Sequence, residues 1–130
     1  MTATVDPVGD FGDLIGLQVD EATPDRVVMS LTVGPSLMQP WGILHGGVHC
    51  SAIESAASIA ASVWYGDRGT VVGVNNSTNF LRPVREGVLT YTATPVQRGR
   101  TQQLWLVEGR DSEDRLVAQG QVRLANLPNS

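Results

Sequence analysis

Between Arg26 and Gly34 the chain alternates, with Val27, Met29, Leu31 and Val33 on one face and Val28, Ser30 and Thr32 on the other, which is the period of a half-buried strand. Residues 10–17 (DFGDLIGL) read as a short helix or turn leading into an earlier strand near Gly16 to Ala22. The pattern breaks over residues 35–45 (PSLMQPWGILH), where two prolines and a glycine predict an ordered loop. From Gly47 to Trp64 the alanine-rich run VHCSAIESAASIAASVW predicts one long helix, with Gly66 as its stop. Apolar and small residues lie almost all round this helix and Glu54 is its only acid, so it is expected inside the protein. Four more segments have strand character: Thr70 to Phe80, Gly87 to Gln97, Thr101 to Gly109 and Leu116 to Ala125, separated by the turn-like RPVRE, RGR and DSED. Two strands, a helix and four strands make an α+β domain, and the economical packing is a curved antiparallel sheet of about six strands wrapped around the one central helix.

Length and composition narrow this picture. The 130 residues fit a single domain, 1–130, of which 1–13 are expected to be a loosely ordered acidic N-terminus. With 42% hydrophobic and 17% charged residues, disorder is excluded as the main state. All nine basic residues are arginine. Without lysine there is no Walker-type phosphate loop, no Schiff base and no lysine general base.

The net charge of −4 argues against broad nucleic-acid binding. The acid is unevenly placed: residues 1–25 hold six acids and no arginine, whereas the rest of the chain holds seven acids and nine arginines. The body of the domain is therefore mildly basic. A lone cysteine, Cys50, and an N-terminus without the basic start and apolar core of a signal peptide predict a cytoplasmic protein. Residues 27–53 carry no charged side chain, but Pro35, Pro40 and four glycines exclude a membrane-inserted helix there.

Glu54 carries the most chemical information, because a lone carboxylate in a nearly apolar helix is costly to bury unless paired or used. A plain surface glutamate is the alternative. Ser51 and Ser58, three residues before and four after, share its face and could bond its carboxylate or a substrate. His45, Gly46 and Gly47 stand at the helix start, where free N–H groups and the helix dipole favour a developing oxyanion. His45 and Glu54 are nine residues apart, about 13.5 Å along a helix and half a turn out of phase. If both act on one small group, the site is composite, with the helix start of one subunit facing Glu54 of another. Otherwise only one of the two is functional.

His45 and His49 have the i, i+4 spacing of a zinc helix, yet HGGVH lacks the glutamate of HExxH, so no metal is expected. Cys50 reads as a small buried thiol. Arg82, Arg85, Arg98 and Arg100 form a local basic cluster that could converge on one anion, or serve only solubility. The run Asn75 to Asn79 is so polar that it suggests a sheet edge, a subunit contact or a ligand wall.

The run Gln39-Pro-Trp-Gly-Ile-Leu-His45-Gly-Gly, followed by Glu54, resembles the hotdog-fold acyl-CoA thioesterases. It is most similar to the branch holding the phenylacetate-pathway enzymes, the proofreading thioesterase of enterobactin synthesis and the Arthrobacter-type 4-hydroxybenzoyl-CoA thioesterase. The similarity extends from about residue 14 to 125 and includes Asn79-Phe-Leu-Arg82-Pro-Val-Arg-Glu-Gly87 and the turn Arg98-Gly-Arg-Thr101. The resemblance implies a hotdog dimer, usually paired into a homotetramer, that hydrolyses an acyl- or aroyl-CoA with no cofactor beyond the coenzyme A of its substrate. It implies that Glu54 is the catalytic carboxylate, as nucleophile or as base for water, and that the N–H of Gly46 polarises the thioester carbonyl. His45 and Gln39 would position the thioester, and Ser58 would orient the water or the carboxylate from the second subunit. For coenzyme A the candidates are Arg82 and the turn Gly99, Arg100 and Thr101. His49 and Cys50 have no role in that scheme. Two other outcomes stay open: a hotdog hydratase acting on enoyl or hydroxyacyl thioesters, and a non-catalytic acyl-CoA-binding protein.

Overall fold

The computed structural model describes residues 7–130, so the first part of the acidic N-terminus, residues 1–6, lies outside the described residues. A short helix, α1 (Gly9–Leu14), follows, so residues 9–13 are helical. The remaining elements are β1 (Gln18–Thr23), β2 (Arg26–Thr32), α2 (Gly46–Tyr65), β3 (Gly69–Phe80), β4 (Val88–Arg98), β5 (Gln102–Arg110) and β6 (Leu116–Pro128). Every element expected from the hydrophobic pattern is present. The largest boundary difference is at β6, which runs on to Pro128 because its last residues keep pairing with the start of β3, as far as Gly69 opposite Pro128.

The six strands form one antiparallel sheet in the order β1-β2-β4-β5-β6-β3. β3 is therefore an edge strand, one of the readings its polar run allowed. The sheet curves around α2, whose Ala52, Ala56, Ala57, Ala60 and Ala61 are fully buried against Met29, Leu89, Tyr91, Trp105 and Val122. Small side chains let the helix lie close to the sheet. This is the hotdog arrangement.

Burial of α2 all round is not what the structure shows. Its alanine face is covered, but Ser51, Glu54, Ser55 and Ser58 are half-buried, and Ser62 and Val63 are exposed. The uncovered flank coincides with the side that carries the serines and the acid.

Both helix ends are set by local chemistry. His45 is the N-cap, its Nδ1 accepting from Gly47 N–H at 2.8 Å, and Gly66, at φ 64°, closes the last turn by donating to Ser62 O. At the same end of the molecule, buried Gln103 donates to Ala61 O (3.3 Å) and Asn126 Oδ1 (2.8 Å), and accepts from Trp105 Nε1 (2.7 Å). Asn126 in turn donates to Gly99 O (2.9 Å) and Arg100 O (3.2 Å), tying the β4–β5 turn to β6.

Candidate active site

Glu54 sits where α2 crosses the edge strand β3. Its carboxylate lies directly over Gly73, where any Cβ would collide with Oε2, and Asn76 Nδ2 donates to Oε1 at 3.3 Å and to Cys50 O at 3.1 Å. The pairing of β3 with β6 shifts register between Gly73 and Asn75. Such a bulge re-aims side chains beside a site. Thr78 Oγ1 donates to Asn76 Oδ1 at 2.6 Å, which orients the amide so that its NH₂ faces the carboxylate. Glu54 and Ser58 together border a cleft of about 390 Å³, with Pro7, Ser55, Ile59, Ser62 and Val63.

The helix start opens onto a different cleft. Gly46, Gln39 and Arg82 line it together with Ile43, Leu44, His49, Phe80, Leu81, Pro83 and Val84, around a volume of about 390 Å³. Gly46 packs closely under Phe80: a Cβ there would lie 2.9 Å from Cζ of that exposed ring and would have to push it aside. No acceptor is recorded for its N–H among the described residues, so this donor, at the positive end of the helix dipole, is available to a ligand. Gln39 Oε1 accepts from Trp41 N–H at 2.6 Å, which turns its NH₂ group outward as a further donor.

His45 is exposed and borders a third cleft, of about 350 Å³, with Phe11, Met38, Gly47 and Ser51 among its walls. Because Nδ1 is occupied as a cap acceptor, the proton of the neutral ring is on Nε2. Ser51 does not reach Glu54; its hydroxyl donates to Gly47 O at 2.8 Å. Within one chain, then, Gly46, Gln39 and Arg82 are together, Glu54 and Ser58 are together, and the two groups border separate clefts.

The four arginines do not converge within a chain. Arg82 precedes β4 and Gly99, Arg100 and Thr101 follow it, so the ten-residue rise of the strand separates them by roughly 33 Å. Arg98 is committed to Asp25 Oδ1 and Pro24 O, each at 2.8 Å. Arg85 borders the β5–β6 turn with Asp111 and Glu113. Turns that look adjacent along the sequence are at opposite ends of a long strand. Ala57 and Ala61, three and seven residues after Glu54, face the core and not the Glu54 cleft. In the loop before the helix, Leu37 is core, whereas Trp41 is 83% exposed.

One buried pair had no place in the sequence-based scheme. His49 is 4% exposed and its Nδ1 lies 2.8 Å from the hydroxyl of Tyr91, itself fully buried. Burial drives the His49 pKa down from 6.5 to about 4 and pushes that of Tyr91 up, so both are neutral near pH 7. Asn76 was also missed as an individual; its signal was the polar run 75–79, in which alternation turns Asn76 and Thr78 inward. Among the described residues no group of three or more His, Cys, Asp or Glu is arranged to hold a metal, and no helix is long and apolar enough to cross a membrane.

The family model of the Thioesterase superfamily matches residues 42–118, from the loop before α2 into β6. The crystal structure of AziG from S. sahachiroi superposes with a TM-score of 0.92 at 56% identity, covering 94% of this chain and 99% of that one. A Mycobacterium tuberculosis protein, provisionally named an esterase, is 52% identical over 120 residues, 90% of this chain and 86% of its own. The 1,4-dihydroxy-2-naphthoyl-CoA hydrolase of Listeria monocytogenes is 30% identical over 105 residues, 81% of this chain and 85% of its own.

Proposed function

The chain belongs to the thioesterase superfamily, and from that premise we propose that it hydrolyses an acyl-CoA or aroyl-CoA to the free acid and coenzyme A in the cytoplasm. The observation that carries this reading is the placement of Glu54. It is the one acid of a 20-residue helix, held by Asn76 and left facing a cleft rather than an arginine. Among the described residues its side-chain partner is the neutral amide of Asn76, and no cation is paired with it to offset its partial burial. Support for coenzyme A comes from the relative named as a naphthoyl-CoA hydrolase.

In the proposed reaction the thioester carbonyl oxygen rests on the N–H of Gly46, which stabilises the charge that develops there by about 3 kcal/mol. Gln39 and His45 position the thioester. Glu54 either takes a proton from the water that attacks the carbonyl carbon, with Ser58 orienting that water, or attacks the carbon itself. On the first route the C–S bond breaks and the thiolate takes the proton that Glu54 accepted from water; on the second the thiolate leaves Glu54 acylated as a mixed anhydride, which water cleaves to the free acid and a protonated Glu54 that returns its proton to the thiolate. Arg82, which lines the Gly46 cleft, serves the nucleotide end of coenzyme A, and the turn Gly99 to Thr101, at the far end of β4, would reach that nucleotide only from another subunit. The reaction requires no cofactor.

Because the Gly46 and Glu54 clefts are separate in one chain, the proposed unit is a homodimer, each site taking Gly46 from one subunit and Glu54 from the other, paired again into a homotetramer. The unpaired edge of β3, with Val72, Val74 and Phe80 exposed beside Asn76, is the surface proposed for the dimer contact. The test is thiol release from a panel of acyl- and aroyl-CoAs. Wild-type protein is expected to release coenzyme A from at least one of them, with Glu54→Ala at least about 100-fold slower. Release that persists undiminished in Glu54→Ala would remove Glu54 from the chemistry.

A further inference from the structure

His49 borders the same cleft as Gly46, Gln39 and Arg82, yet nothing in the proposed reaction uses it. Its ring is wedged between Phe80, centroids 6.1 Å apart and tilted by 30°, and Tyr91, edge-on at 5.9 Å. Two aromatic neighbours and a 4% exposure fix the ring in one orientation.

The hydrogen-bond arithmetic then assigns the proton. The Tyr91 hydroxyl is fully buried, and among the described residues its one recorded hydrogen-bond partner is His49 Nδ1 at 2.8 Å. A buried hydroxyl has one hydrogen to place, and leaving it unplaced is costly, so Tyr91 donates to Nδ1. Burial keeps the imidazole neutral, with a single N–H. That N–H is consequently on Nε2. No acceptor for Nε2 is recorded among the described residues, and with Nδ1 turned to the core, Nε2 is the polar atom left for whatever fills the cleft.

We propose that His49 is a specificity residue whose Nε2–H donates to an oxygen carried on the acyl group two or three bonds beyond the thioester carbonyl, so that the enzyme selects acyl chains with a β-oxygen or aroyl groups with an ortho oxygen. Gly46 and His49 are three residues apart on one helix face, where side-chain positions are about 5–6 Å apart. With the carbonyl oxygen on Gly46 N–H, the atoms next along the acyl group come within reach of His49. The proposed reaction commits Gln39 to the thioester and Arg82 to the nucleotide, and the other side chains of the cleft, Ile43, Leu44 and Phe80 among them, are apolar, so His49 is the donor left to decide between oxygenated and plain acyl groups. This inference rests on the thioester reading for the ligand and concerns a residue that reading leaves idle.

The test uses two hydrolysis-resistant ketone analogues of equal shape, 2-methoxyphenacyl-CoA and 2-ethylphenacyl-CoA, titrated calorimetrically into the full-length protein. Wild type is expected to bind the methoxy analogue about tenfold more tightly, His49→Phe to bind both alike, and His49→Gln, which keeps a donor, to recover part of the preference. A wild-type ratio near one, or a ratio unchanged in a folded His49→Phe, overturns the proposal. A second measurement is independent of any variant's folding: long-range ¹H–¹⁵N correlation in the wild type should place the His49 proton on Nε2, and finding it on Nδ1 overturns the assignment. A methoxy preference that vanishes in His49→Phe, in a protein that releases no thiol from any acyl-CoA, would uphold this proposal and sink the hydrolytic one.

Discussion

Asn76 Nδ2 spans two acceptors one helical turn apart, the carbonyl of Cys50 at 3.1 Å and the carboxylate of Glu54 at 3.3 Å. A single amide on the edge strand thus fixes the rotamer of the one acid on α2. Removing it in Asn76→Ala deletes a hydrogen bond to a charged group, worth about 1.5–3 kcal/mol. The expected outcome is a fall in kcat of roughly 10- to 100-fold with a small change in KM, measured by steady-state thiol release. Equal kcat in wild type and Asn76→Ala would mean that Glu54 needs no such restraint.

Gly73 tests the same carboxylate from the other side. Its φ is not in the left-handed region, so alanine meets no strain of that kind, but the added methyl would occupy the space of Glu54 Oε2. Gly73→Ala should therefore keep or slightly raise the Tm while lowering kcat by at least about tenfold, because a displacement near 1 Å at a reacting group is enough. Differential scanning calorimetry and thiol release on the same sample separate the two effects.

What the sequence made legible follows from the range of the interactions concerned. Strand alternation, the alanine-rich helix and Gly66 are local patterns, and each element was expected within about three residues of where it lies. The meeting of Asn76 with Glu54 joins residues 22 apart and that of His49 with Tyr91 joins residues 42 apart, so neither has a local signature. A run of polar residues marked β3 as unusual without singling out Asn76. The arginines illustrate the opposite failure. Arg82 and Arg98 are close in sequence and share a charge pattern, yet an extended strand carries them to opposite ends of the sheet.

Burial of His49 makes stability depend on pH in a defined window. The folded state holds the ring neutral, with its pKa lowered from 6.5 to about 4, so in that interval the unfolded chain binds the extra proton. Stability from this group is fully present above pH 6.5 and is lost as the pH falls towards 4, by up to about 3 kcal/mol. Carboxylates titrate in the same range, so the useful quantity is a difference. The drop in unfolding free energy between pH 7 and pH 4.5 should be larger for wild type than for His49→Gln, and parallel urea titrations at the two pH values measure it. Identical drops would show that His49 takes up its proton without leaving the core.

The proposed composite site makes the sharpest demand on the molecule. Gly46 and Glu54 lie eight residues apart on one helix, about 12 Å along its axis, and border different clefts. A thioester carbonyl and its attacking group are about 3 Å apart, so one chain cannot present both to the same carbon. The two lesions should therefore complement. Gln39→Ala and Glu54→Ala, each nearly inactive alone, give a mixed dimer in which one site carries both lesions and the other carries neither. With equal amounts of the two chains unfolded and refolded together, half of the dimers are mixed, and activity should return to about a quarter of the wild-type value. Native mass spectrometry counts the mixed dimers in the same sample. Mixed dimers present without recovered activity would place Glu54 and Gly46 in one chain's site, which the separation along α2 forbids, and so would remove one of the two from catalysis.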